Sequence, residues 1–124
     1  MQATALKVSG IFGVMGVVLG AFGAHGLNDL LVGNERLDTW ETAAFYHLVH
    51  AVVLLMLAMW KEWKPVAWIV MTVGVVIFSG SLYLLSLTNI GWLGAITPVG
   101  GICLMAGWIL TGFGKGKSSA SMPS

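Results

Sequence analysis

Four apolar runs, each about as long as a bilayer is thick, constrain this chain more than any other feature. The first extends from Val8 to Leu27, the second from Thr39 to Trp60 and the third from Val66 to Leu87. The fourth ends near Phe113 and begins between Trp92 and Pro98. A helix rises about 1.5 Å per residue, so about 20 residues cross roughly 30 Å of hydrocarbon. Backbone polar groups find no water there and must pair within the segment, which makes each run a helix. Composition agrees: charged residues are 9% of 124, hydrophobic residues 57%, and mean hydropathy is +0.89. A soluble domain of this size needs a charged surface that this chain cannot supply.

The expected fold is therefore an all-α membrane protein with four transmembrane helices over residues 1–113, followed by a flexible polar tail at 114–124. The first run is longer than the apolar core of a signal peptide and is threaded with glycine, so it is read as a span and not as a cleaved leader. Thr97-Pro98 predicts a helix start, with Thr as N-cap and Pro at the first helical position. From there to Phe113 the rise is only about 24 Å. The fourth helix is thus short or preceded by an irregular lead-in, which Gly91, Gly94, Gly100 and Gly101 would permit.

Loop charges set the orientation. Lys7, Lys61, Lys64, Lys115 and Lys117 fall on one side and Arg36 on the other, which predicts both termini in the cytoplasm. Trp40 and Trp92 would mark the outer interface, and Trp60, Trp63, Trp68 and Trp108 would lie toward the inner one. Net charge is +1, without a basic run, so nucleic acid is not an expected partner. Cys103 is the only cysteine and reads as a small core residue.

Two ionisable residues sit deep in the second run, in Tyr46-His-Leu-Val-His-Ala51. Such residues are costly in lipid and default to a functional hypothesis. His47 and His50 are spaced i, i+3 and share a face with Tyr46. Thr72, Ser79 and Tyr83 form a polar stripe on the third run, so a hydrogen-bonded polar seam between the second and third spans is expected. Metal ligation is not: His47 and His50 lie about 12 and 16 Å below the start of their span, and His25 only about 3 Å from the same interface. Two ligands without a third make a poor zinc or copper site. No cofactor can be named.

Glycine recurs along the first run, and Gly13, Gly16, Gly20 and Gly23 fall within about 80° of one another. Small residues let membrane helices approach closely, so this stripe is expected to pack against a neighbouring span, a second copy or another membrane protein. Asp38-Thr39-Trp40-Glu41 has the spacing of a capping box for the second span. No paired buried carboxylates, nucleophile elbow or phosphate-binding loop appear, so the chain is not read as an enzyme.

Four segments taken together resemble a known family: Gly20-Ala-Phe-Gly-Ala-His-Gly-Leu27, Tyr46-His-Leu-Val-His-Ala51, Phe78-Ser-Gly-Ser-Leu-Tyr83 and Ile96-Thr-Pro-Val-Gly-Gly101. In this order they look like the bacterial membrane-protein family called domain of unknown function 423, whose animal relatives are called transmembrane protein 256. The resemblance extends to Trp108. It implies a four-helix, multi-pass protein of the inner (plasma) membrane and no particular activity. It also implies that Gln commonly stands at position 47 while His50 is the steadier residue, which gives weight to His50 and His25. The functional expectation is a non-enzymatic accessory or scaffold in contact with membrane lipids, with itself or with a membrane partner. Alternatives are a small transporter or channel using His50, and a haem or metal binder through His50. Small four-span exporters resemble this chain in size only, since they place a glutamate in the first span and this one has none between Lys7 and His25.

Overall fold

The computed structural model describes residues 1–118. Its framework is four long helices: α1 (Gln2–Ala24), α3 (Leu37–Met59), α4 (Pro65–Thr88) and α5 (Thr97–Phe113), with a short α2 (Asn28–Gly33) after the first. A 3-10 helix over Gly91–Ala95 leads into α5, so the apolar element Gly91–Phe113 reaches 23 residues. The fourth helix is therefore both short and irregularly started. All four elements are long and apolar enough to cross a membrane. The outer surface agrees, because exposed side chains along them include Ile11, Val14, Val52, Val76, Ile102 and Phe113.

Helix ends follow local chemistry. Pro65 opens α4 at a position whose backbone N–H would have no helical partner. Asn89 closes α4 in the left-handed conformation, φ 56°, which an Asn side chain tolerates better than most. Two expected caps do not form. Arg36, not Asp38, is the N-cap of α3, and no side chain caps it. Asp38 lies inside the first turn, where its charge still favours the helix N-terminus. Thr97 likewise lies inside α5, because the preceding 3-10 turn carries the chain straight into the helix and makes Ile96 the N-cap.

α3 and α4 form the central pair, with α1 packed chiefly on α3 and α5 chiefly on α4. The core gathers Val53, Leu54 and Leu57 of α3, Met71 and Val75 of α4, and Leu104 of α5. The tightest approaches of a helix to a neighbouring helix's backbone are in α4–α5. A Cβ on Gly100 would overlap the backbone of Phe78, and one on Gly74 would lie 2.8 Å from the backbone nitrogen of Leu104.

The tryptophans differ in exposure. Trp92 and Trp60 are exposed, but Trp40, Trp63 and Trp68 are buried. The indole of Trp40 donates to the Leu19 carbonyl at 2.8 Å, and that of Trp68 to Ser9 Oγ at 3.1 Å. These acceptors hold both indoles against α1.

The two ends of the bundle differ in charge. Gln2 donates to the carbonyls of Ala58 and Trp60, both at 3.0 Å, and Lys64 donates to the Thr111 carbonyl at 2.6 Å. These contacts bring together the start of α1, the end of α3, the start of α4 and the end of α5, so Lys7, Lys61, Lys64 and Lys115 share one end with Glu62. At the other end Asn34 donates to the Ser86 carbonyl at 3.0 Å, and Arg36 to Asn89 Oδ1 at 2.9 Å. Asp29, Glu35, Asp38 and Glu41 lie there. At the lysine end Lys117–Ser118, within the polar tail, pairs antiparallel with Glu62–Trp63; residues 119–124 lie outside the described residues.

Candidate functional site

His47 and His50 are both buried on α3, at 4% exposure each. Three residues of helix separate them by about 60°, which sends the rings to different neighbours. His47 faces α1 and α4. Its Nε2 is 2.9 Å from the Phe12 carbonyl oxygen and its Nδ1 is 2.9 Å from the Tyr83 hydroxyl. A carbonyl only accepts, so in the neutral ring Nε2 carries the proton and Tyr83 donates to Nδ1. The rings of Phe12 and Tyr83 meet the imidazole edge-on at 5.8 and 5.9 Å.

His50 faces α5. Its Nδ1 is 2.7 Å from the Tyr46 carbonyl oxygen one turn earlier, and its Nε2 is 3.1 Å from the indole nitrogen of Trp108. An indole N–H only donates, so here the proton sits on Nδ1 and Nε2 accepts. The two histidines are fixed as opposite tautomers, each with both nitrogens engaged.

Of the residues expected in a polar seam between the second and third spans, the structure brings His47, Ser79 and Tyr83 to the contact of α3 with α4. Ser79 donates to the Ala43 carbonyl at 2.9 Å, one turn from the Tyr83–His47 contact. Thr72 does not join it. Its hydroxyl donates to the Trp68 carbonyl of its own helix at 2.8 Å, the usual fate of a helical hydroxyl with no nearer acceptor. Tyr46 serves His50 through its backbone, while its ring stacks on the imidazole at 6.0 Å and meets Phe78 at 4.6 Å. His50 lies outside the seam, because its partner is on the fourth span and not the third. His25 is exposed just past α1 and joins neither ring.

Sequence reasoning missed Trp108 and Phe12. Trp108 was assigned to the interface, and a backbone acceptor such as Phe12 O leaves no trace in side-chain patterns. The Ser81–Thr97 contact, 2.6 Å between hydroxyls, was also hidden, with Thr97 read as a cap. Cavities flank both imidazoles. One of about 180 Å³ lies beside His47 between α1 and α4, and one of about 310 Å³ lies beside His50, walled by Tyr46, Phe78, Leu104 and Trp108. Among the described residues, no three His, Cys, Asp or Glu side chains gather where they could hold a metal ion.

The glycine stripe divides. A Cβ on Gly16 would lie 2.6 Å from Leu48 Cδ2, and one on Gly23 would overlap the Trp40 indole, so these two seat α1 on α3. Gly13 and Gly20, with Gly10, would meet nothing within 4 Å. The stripe is thus half internal packing and half open surface.

Comparison with known proteins identifies the family. The model of the family described as "Protein of unknown function (DUF423)" matches residues 19–101, a range that contains all four motifs. The chain is 41% identical to the UPF0382 membrane protein YwdK of Bacillus subtilis over 104 residues, covering 78% of this chain and 83% of that protein. It is 40% identical to a UPF0382 membrane protein of Staphylococcus saprophyticus, covering 84% and 89%. It is 36% identical to the UPF0382 inner membrane protein YgdD of Escherichia coli, covering 85% and 83%. No solved structure matches. Since both the family model and these relatives extend over most of its length, this four-helix protein of the inner membrane belongs to the DUF423 family.

Proposed function

We propose that the protein is a non-enzymatic accessory or scaffold of the inner membrane, oriented with its lysine end in the cytoplasm, that acts by packing against lipids and membrane-protein neighbours, a second copy included. One observation carries this: its polar groups are closed on one another. Each imidazole has two partners within the chain, and among the described residues no buried side-chain nitrogen or oxygen lacks one. A general base, nucleophile or metal ligand needs a free lone pair or a transferable proton. For His50 to couple protons, or to ligate haem or a metal, Nε2 would first have to be released by Trp108. What the molecule offers its surroundings is apolar side chains and the open half of the glycine stripe.

The test is its mass in mild detergent, combined with crosslinking in native membranes. A discrete oligomer or a stoichiometric crosslinked neighbour supports a scaffold. A strictly monomeric species, with nothing co-purifying and no crosslinks, refutes it.

A further inference from the structure

Two of the open glycines, Gly10 and Gly13, line a groove of about 530 Å³ between α1 and α3. Gly10, Gly13 and Ala51 lie along its base, and Val14, Val17, Leu48 and Val52 are among its walls. From Gly10 to Val18 it runs about 12 Å along the helix axes. A groove of that shape at a lipid-facing surface loses its dispersion contacts unless something fills it. Its charge environment names the occupant. Lys7 precedes Gly10 by three residues and Val14 by seven, so it lies over the same face of α1, nearer the lysine end. Lys7 is exposed, and four of the five carboxylates of the chain are at the opposite end.

We propose that this groove binds one acyl chain of an anionic phospholipid from the leaflet at the lysine end, with Lys7 holding its phosphate. The chain lies lengthwise over Gly10 and Gly13, which provide depth because they carry no side chain. A zwitterionic lipid of equal chain length fits the groove but gains less from the lysine-rich rim. A lipid here leaves Gly20 and the other apolar faces to protein neighbours, so this site and the scaffold reading can each fail alone.

Native mass spectrometry of the full chain tests it, in detergent with equimolar phosphatidylglycerol and phosphatidylcholine of identical acyl chains. One phosphatidylglycerol should be retained preferentially. Lys7→Gln should reduce that preference about fivefold, the factor for one lysine near an anionic headgroup, while Lys115→Gln leaves it intact. Gly13→Leu, which extends into open space, should abolish retention of both lipids at unchanged helicity. Equal retention of the two lipids overturns the proposal, as does a preference that survives Lys7→Gln. An adduct that persists in Gly13→Leu also overturns it. So does a Gly13→Leu variant that changes oligomeric mass but not lipid retention, which would make the groove a protein interface. Should Gly13→Leu lose helicity, Val17→Trp at the groove wall takes its place with the same expected outcome.

Discussion

Substituting single glycines by alanine separates packing from helix propensity in this bundle. The same methyl group enters at Gly13 and at Gly100, both inside helices, so the intrinsic gain of about 1 kcal/mol from replacing helical glycine is common to both. The surroundings differ. At Gly13 the methyl meets nothing within 4 Å. At Gly100 it overlaps the Phe78 backbone, with the Cα of Phe78 at 2.7 Å and its Cβ at 2.9 Å. Overpacking costs about 1–3 kcal/mol, and the upper part of that range applies when backbone must move. Gly100→Ala should therefore be less stable than Gly13→Ala by about 2–3 kcal/mol. Gly74→Ala should follow closely, since its methyl meets the Leu104 backbone nitrogen at 2.8 Å. Gly107→Ala, at 3.2 Å from the Met71 Cα, should be milder. The assay is reversible unfolding in mixed detergent micelles, followed by far-UV circular dichroism and tryptophan fluorescence. If Gly100→Ala equals or exceeds Gly13→Ala in stability, close backbone contact does not hold α4 to α5.

Two further outcomes are expected. Nitrogen-15 shifts of labelled histidine should show the Nε2–H form for His47 and the Nδ1–H form for His50, and Trp108→Phe should perturb only His50; identical tautomers would contradict the assigned hydrogen bonds. With Cys103 replaced by Ala, a cysteine at Lys115 should react with a membrane-impermeant maleimide only from the cytoplasmic side, and one at Asp29 only from the opposite side; the reverse pattern would overturn the proposed orientation.

Span positions were legible in the sequence because hydropathy reports depth, and depth is what a bilayer imposes. Lateral arrangement was not, because no hydropathy pattern states which helix lies beside which. Tyr83 and Thr72 looked equivalent on one stripe, yet only Tyr83 has an imidazole within reach. The glycines of α1 attracted notice by their regular recurrence. The closest backbone contacts instead use Gly74 on one helix and Gly100 on another, a pairing visible only once α4 and α5 are side by side. His50 was singled out by its depth, but its partner Trp108 lies 58 residues away on the last helix.

That separation has a consequence for biogenesis. The chain emerges from its amino terminus, so α3 enters the bilayer before α5 has been synthesised. Until the last helix docks, Nε2 of His50 faces the membrane without its donor, whereas His47 can close its contacts as soon as α1 and α4 are present. The Trp108–His50 bond thus forms late in assembly, with the other contacts of the last helix, such as Lys64 to Thr111. A chain truncated before Trp108 would leave a hydrogen-bond acceptor open in the hydrocarbon, a defect that membrane quality control could recognise.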